Sequence, residues 1–436
     1  MLHRITAVSL SLIAFAITPI APAELVVTIT KGGQRGQPIA IVPFGWSGAE
    51  AVPLDVAQVV EADLQRSGKF EPVGRDAMVS RPTRGSQVDY NDWRMLGAEV
   101  VVVGEIAPRG PGTYELRFEA LDVFGARQIV GQVIPSTTAQ LRAAAHHISD
   151  LIYEAITGVR GAFSTQIAYV SFERLDSGER YRLWIADADG ENAQIITEAK
   201  EPILSPAWSP EGHRLAYASY ENHQAVLYVQ ELATGVRQSV STRSGVNSAP
   251  AWAPDGQKLA VALSEADGNV EIYVINVGTR ELKRVTNNPA IDTEPAWSRD
   301  GRSIYFTSDR SGGPQIYVAD AYGGGTPQRL TFEGSYNARP RLSPDERQLA
   351  LVHGEGATYR IGVLDLKSRS LQIVTNGRLD ESPSFAPNGS MIIYATLDHG
   401  NGVLAAVAVD GSVQQRLTSS GGAVREPAWS PFPPQR

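Results

Sequence analysis

The chain has 436 residues, 42% of them hydrophobic and 20% charged, so it is long enough for two or three domains with real cores. It contains no cysteine, which excludes disulfides, thiol catalysis and thiolate metal sites. Lys plus Arg total 39 against 47 Asp plus Glu, and a net charge of −8 sets nucleic acid aside as a partner, since an acidic chain gains nothing from counterion release.

Arg4 opens a short positive start, and Ala7 to Ile17 is an apolar run too short to span a bilayer. It ends in Ala21-Pro22-Ala23, an A-x-A cleavage pattern, so residues 1–23 read as a secretory signal peptide cut between Ala23 and Glu24. Arg4 is the only formally charged residue removed, taking the charge from −8 to −9. No later stretch reaches membrane-spanning length, which predicts a soluble periplasmic protein.

From Glu24 onward the pattern is mixed. Leu25 to Thr30 and Ile39 to Pro43 alternate like strands. Pro53 could open a helix whose apolar face includes Val56, Val59, Val60 and Leu64, stopping at Gly68. Asp89 to Leu96 reads as a short helix, and Glu99 to Ile106 as a buried strand with four consecutive valines. Strands over 114–123 and 128–134 turn at Gly125, and Ser136 or Thr137 caps a helix ending at Gly158. These elements predict an α/β domain over 24–160.

A repeat then takes over. Pro206-Ala-Trp208-Ser-Pro-Glu-Gly returns as Pro250-Ala-Trp252-Ala-Pro-Asp-Gly, Pro295-Ala-Trp297-Ser-Arg-Asp-Gly, Pro340-Arg-Leu342-Ser-Pro-Asp-Glu, Pro383-Ser-Phe385-Ala-Pro-Asn-Gly and Pro427-Ala-Trp429-Ser-Pro. The large apolar residue recurs at steps of 44, 45, 45, 43 and 44. Each unit reads as four short strands: one opened by proline, a Pro-Asp-Gly turn, an alternating strand, a third strand, and a fourth ending in Thr286, Thr331, Thr375 or Thr418. That period is the signature of a propeller blade. The last phrase is too near the C-terminus to build a blade alone, while 166–172, 182–186 and 194–197 read as three strands lacking a first. The C-terminal strand is therefore expected to close a six-bladed β-propeller over 161–436, leaving no unpaired edge at the seam. The Trp, Leu and Phe of the phrase read as packing between blades rather than as stacking platforms for a ligand.

No nucleophile elbow, metalloprotease motif, P-loop or dinucleotide fingerprint occurs. Six histidines follow the leader, and the four in the repeats sit in different registers, so no metal cluster, cofactor or catalytic set is expected. What remains is a surface. The residues before each repeat proline should ring one mouth of the central channel: Leu204 and Ser205, Ser248 and Ala249, Thr293 and Glu294, Ala338 and Arg339, Glu381 and Ser382, Arg425 and Glu426. Small, hydroxyl and charged groups at a concave rim suit recognition of a polar or peptide segment.

The six phrases behind a leader and an α/β domain resemble the TolB family, periplasmic propeller proteins of the Tol–Pal system. Gly36-Gln-Pro-Ile-Ala-Ile-Val-Pro-Phe44, Gly68-Lys-Phe70, Asp292-Thr-Glu-Pro-Ala-Trp297, Leu379 to Gly389 and Pro427-Ala-Trp-Ser-Pro431 carry the resemblance across essentially the whole chain. It implies a non-enzymatic, monomeric scaffold without a cofactor that supports outer-membrane integrity and cell division. The implied partners are the Pal lipoprotein, the C-terminal domain of TolA, and other periplasmic or outer-membrane proteins. Pal would engage the channel mouth, where Thr293 and Glu294 match the family's Thr-Glu-Pro phrase; Val246-Asn-Ser-Ala249 departs from the histidine-containing phrase expected there. TolA would engage the mature N-terminus, Glu24, Leu25, Val26, Val27, Thr28 and Ile29, by strand addition; from the residues alone this stretch could equally be the domain's own first strand. The rival readings are a propeller hydrolase or polysaccharide lyase acting at the channel, which needs converging histidines or carboxylates, and a sugar-binding propeller.

Overall fold

In a computed structural model the described residues are 25–31, 36–176, 178–264, 268–419 and 422–434, so the leader, its cleavage point and Glu24 lie outside them. The first unit is a mixed sheet in the order Phe70–Pro72, Gln37–Ile41, Val100–Gly110, Thr113–Asp122, Arg127–Thr137, with Gly45–Trp46 also pairing to Val100–Gly110. Alternation along the central strands divides the sheet into two buried faces. Ile39, Ile41 and Val102 pack under helices α1 (Val56–Arg66) and α3 (Leu141–Thr157), against Val60, Leu64, Ile148 and Ile152. Ala40, Val42, Val101 and Val103 meet Trp93 of the short helix α2 (Tyr90–Met95) on the other face. The consecutive valines are thus buried on both sides of the sheet.

Two helix starts differ from the sequence reading. Pro53 precedes α1, whose cap is Asp55; its carboxylate accepts from the Gln58 N–H at 2.9 Å, and this bond fixes the start. Ser136 and Thr137 do not cap α3. They belong to the strand Arg127–Thr137, and a 3₁₀ turn, Thr138–Gln140, leads into the helix. Gly158 does end α3 in the left-handed region (φ 75°), its N–H closing on the Glu154 carbonyl.

Six four-stranded antiparallel blades follow. Blade 1 is split: Ala423–Trp429 forms its inner strand beside Gln166–Leu175, Gly178–Asp187 and Gln194–Ala199. The inner strands of blades 2 to 6 are Ile203–Trp208, Asn247–Trp252, Asp292–Trp297, Tyr336–Leu342 and Glu381–Phe385. The repeat's large residues join neighbouring blades, as their spacing predicts. The indole N–H of Trp208 donates to the Ala428 carbonyl at 3.0 Å, that of Trp252 to Ala207 at 3.1 Å, and that of Trp297 to Ala251 at 3.1 Å. Each reaches from its own blade to the inner strand of the blade before. Thr286, Thr331 and Thr375 lie just past their fourth strands rather than ending them, whereas Thr418 falls within Gln414–Ser419, as expected. The hydroxyls of Thr286, Thr331 and Thr375 accept from the backbone N–H of Ile272, Ile316 and Ile361 on the third strand, while the Thr418 side chain lies outside the described residues.

The segment Leu25–Lys31 is a strand, as its alternation predicts, but it is not the first strand of the α/β domain. It adds antiparallel to Gln414–Ser419 and makes blade 6 five-stranded. The α/β domain packs on the same side of the ring, on the turns that follow the inner strands. Asn388 donates to the Arg160 carbonyl at 3.0 Å, and the Gln415 amide donates to the Arg66 carbonyl at the end of α1.

Candidate binding site: the propeller channel

Each inner strand carries the same defect. Proline has no N–H to give the ladder, and pairing slips between Leu204 and Ala207, Ser248 and Ala251, Thr293 and Ala296, Ala338 and Arg341, Glu381 and Ser384, and Arg425 and Ala428. The residue before each proline is left-handed: Ser205, Ala249, Glu294, Arg339, Ser382 and Glu426 have φ between 48° and 56°. None is glycine, so each holds about 1–2 kcal/mol of backbone strain, the kind of strain that clusters at ligand clamps. The six bulges turn these six residues onto the wall of one central channel, which encloses about 40 Å³ of water-accessible space.

The ring is uneven in charge. Blades 2 and 3 contribute the small Ser205 and Ala249, whereas Glu294, Arg339, Ser382 and Glu426 form one network across the other four. Arg339 Nε donates to Glu294 at 2.7 Å, Nη1 reaches Glu426 at 3.4 Å, and the same nitrogen donates to the Ser382 hydroxyl. Glu294 also accepts from the Thr307 hydroxyl at 3.0 Å and the Arg339 N–H at 2.9 Å. Burial works against the Arg339 charge, but Glu426 and Glu294 more than offset it and hold the guanidinium above the usual arginine range.

The other six expected rim residues, Leu204, Ser248, Thr293, Ala338, Glu381 and Arg425, stand off the channel wall; Leu204 and Ala338 pair within their own blades with Ala218 and Val352. Thr293 and Ser248 pair within their own blades, opposite Thr307 and Ala262. Glu381 and Arg425 line a separate groove of about 430 Å³ between blades 6 and 1, where the Arg425 guanidinium lies 5.5 Å from the Phe172 ring and 5.6 Å from that of Tyr181. Alternation explains the split: the residue two before each proline faces away from its neighbour. The repeat histidines do not converge; His353, for one, is held by Asn337 at 2.9 Å.

Sequence reasoning missed one cluster. His146 on α3 reads as an unremarked histidine, yet it is fully buried between Asp63 of α1 (Nδ1 to carboxylate, 2.7 Å) and Asp189 of blade 1 (Nε2, 3.3 Å). Arg66 holds Asp63 at 2.9 Å and Arg142 holds Asp189 at 2.5 Å. Both carboxylates thus already have guanidinium partners, and the group reads as an ionic latch between the domains rather than a metal centre. Burial opposes the His146 charge, but Asp63 and Asp189 overcome it and raise its pKa to about 9. A raised histidine stabilises the fold fully below its unfolded value near 6.5 and loses that contribution as pH rises through about 9. Melting curves between pH 6.5 and 9.5 should show a loss of up to about 3 kcal/mol that His146→Gln flattens. A wild-type profile identical to the variant's would remove the latch.

The comparisons agree over both units. Residues 25–129 match the TolB amino-terminal domain and residues 153–433 the TolB beta propeller domain. The Tol-Pal system protein TolB of Thioalkalivibrio sulfidiphilus is 51% identical over 97% of both chains, and that of Nitrosococcus oceani 50% identical over 95% of both. The crystal structure of TolB from Acinetobacter baumannii superposes with a TM-score of 0.87 at 39% identity, covering 94% of this chain and 100% of that one. With bulged inner strands ringing a channel, an α/β domain in front and such similarity along the whole length, the chain belongs to the TolB family, the non-enzymatic propeller proteins of the Tol–Pal system.

Proposed function

We propose that this protein is a periplasmic scaffold, exported by a leader cut between Ala23 and Glu24, that joins two Tol–Pal partners. In this reading residues 24–160 and 161–436 are the two working domains. The Pal lipoprotein docks at the channel mouth, on Ser205, Ala249, Glu294, Arg339, Ser382 and Glu426, with Ser248, Thr293, Glu381 and Arg425 around them. The single observation that carries this is the ring of six strained, non-glycine residues, one per blade, on one concave wall. The TolA C-terminal domain takes the segment from Glu24, whose described part, Leu25–Lys31, covers the outer edge of blade 6. A strand held only at a sheet edge can exchange that edge for another, and its affinity for a second sheet falls by the fraction of time it is docked. Together these contacts support outer-membrane integrity and its invagination during division.

A photo-crosslinking residue at Ser248 should capture the Pal domain, whereas one at Asp300, in a turn at the far end of an inner strand, should not. Deleting 24–31 should abolish TolA capture and leave Pal capture intact. Capture of Pal from Asp300 alone would move the site to the other face. The hydrolase or lyase reading gains nothing from the geometry, since the channel's carboxylates Glu294 and Glu426 are engaged by Arg339.

A further inference from the structure

Six residues after the large residue of the repeat phrase, where the second strand begins, stand Arg214, Lys258, Ser303, Gln348 and Met391. Arg214 of blade 2 closes the groove toward blade 3. Its guanidinium lies 4.5 Å from the Trp252 ring, Nε donates to the Glu211 carboxylate at 3.1 Å, and Nη2 donates to the Gly256 carbonyl at 2.7 Å. One planar fork thus meets an aromatic face, a carboxylate and a carbonyl together, and Trp252 is left 8% exposed.

The next groove, between blades 3 and 4, repeats each of these partners without the arginine. Trp297 stands where Trp252 does, Asp255 where Glu211 does, and Gly301 where Gly256 does. In the place of Arg214 is Lys258, a point donor without a fork, and its ammonium turns to Asp255 at 2.8 Å. Among the described residues no cation lies over the Trp297 ring, which is only half-buried. An open groove of about 510 Å³ remains, walled on its far side by Tyr322, which is 58% exposed. That volume falls within the range of about 300–1,000 Å³ common to ligand pockets. Its charges do not balance: the carboxylates of Asp255, Glu281 and Asp300 face the ammoniums of Lys258 and Lys283, three against two, for a net −1. Lys258 is spent on Asp255, and Lys283 donates to the Tyr322 carbonyl. Asp300 accepts from the Ser298 hydroxyl and the Arg302 N–H, at 2.6 and 3.0 Å, and neither it nor Glu281 has an ion-pair partner among the described residues.

We propose that the groove between blades 3 and 4 receives an arginine side chain from a protein partner, stacked on Trp297 as Arg214 is stacked on Trp252. The guanidinium takes the Gly301 carbonyl and a carboxylate of the groove, and its alkyl stem lies along Tyr322. One added cation brings the groove to neutrality. A residue within a chain suits it better than free arginine, whose own carboxylate would meet Glu281 and Asp300. The groove lies at the opposite end of the inner strands from the channel mouth, and the α/β domain sits over blades 6 and 1, so neither covers it.

N-acetyl-arginine amide, an arginine residue without charged ends, is the probe. The readout is the set of seven tryptophan indole N–H signals in nitrogen-15 NMR spectra of residues 24–436, with Trp297 assigned through Trp297→Phe. The probe should shift the Trp297 signal saturably and leave that of Trp252, whose face Arg214 already covers, in place. Lys258→Arg keeps the charge, fills the groove from within and should lose the shift. N-acetyl-lysine amide and free arginine should both bind more weakly. An unmoved Trp297 signal, or an equal response in Lys258→Arg, would overturn the proposal. A lysine probe as tight as the arginine one would overturn guanidinium recognition, and free arginine as tight as the capped residue would overturn the protein source. The titration contains no partner protein, so a failure here and a failure of Pal docking are separate results.

Discussion

Removing residues 426–436 is expected to unfold the propeller rather than trim it. Ala423–Trp429 is the inner strand of blade 1, and it is the element that joins the two ends of the ring. Around it, the Trp429 indole donates to the Thr165 hydroxyl at 2.8 Å, and Ser430 exchanges two bonds with Gln166, at 2.8 and 2.9 Å. Trp208 of blade 2 uses the Ala428 carbonyl, and Glu426 holds Arg339 across the channel. The deletion therefore exposes the edge of Gln166–Leu175, strips Trp208 of its acceptor and leaves Arg339 half-paired. Trp429 is half-buried, so loss of its side chain alone is worth about 3 kcal/mol, the low end for a core tryptophan. At roughly 2–4 °C per kcal/mol for a unit of this size, the melting midpoint should fall by at least about 6 °C. An unchanged midpoint by circular dichroism would defeat the split blade.

Trp252→Ala should be the most damaging single substitution among the repeat residues. Its ring is 8% exposed, the Arg214 guanidinium lies 4.5 Å above it, and its N–H satisfies the Ala207 carbonyl. The change removes an aromatic packing unit between blades 2 and 3 and orphans that carbonyl. The expected loss is about 4–5 kcal/mol, combining a large-to-small term with an unsatisfied acceptor. Trp252→Phe keeps most of the ring and isolates the hydrogen bond, at about 1 kcal/mol. Leu342 and Phe385 occupy the same position and have no N–H to give, so Leu342→Ala should fall below Trp252→Ala. Denaturant midpoints at constant m-value check the order.

The repeat was legible because proline and Pro-Asp-Gly turns act locally, and their period survives substitution of the residues between them. Seam closure followed from counting strands. The channel ring was half legible. The prolines mark where the bulges fall, but which residue of each pair turns inward depends on a left-handed backbone that Ser205, Ala249 or Glu294 does not announce. Helix α3 misled because Ser136 and Thr137 suit a cap, yet long-range pairing with Thr113 and Tyr114 kept them in a strand. The docking of Leu25–Lys31 on blade 6 and the latch of Asp63, His146 and Asp189 join residues far apart in sequence, so no local pattern reports them.

Docking at the channel mouth is tested most directly by calorimetric titration of residues 24–436 with the Pal domain from the same organism. Glu294→Arg takes away the main partner of Arg339 and sets a like charge beside it. Saturable one-to-one binding, weakened at least tenfold (about 1.4 kcal/mol) in Glu294→Arg, is the predicted result. Equal affinity in both proteins, or no complex with wild type, would contradict it.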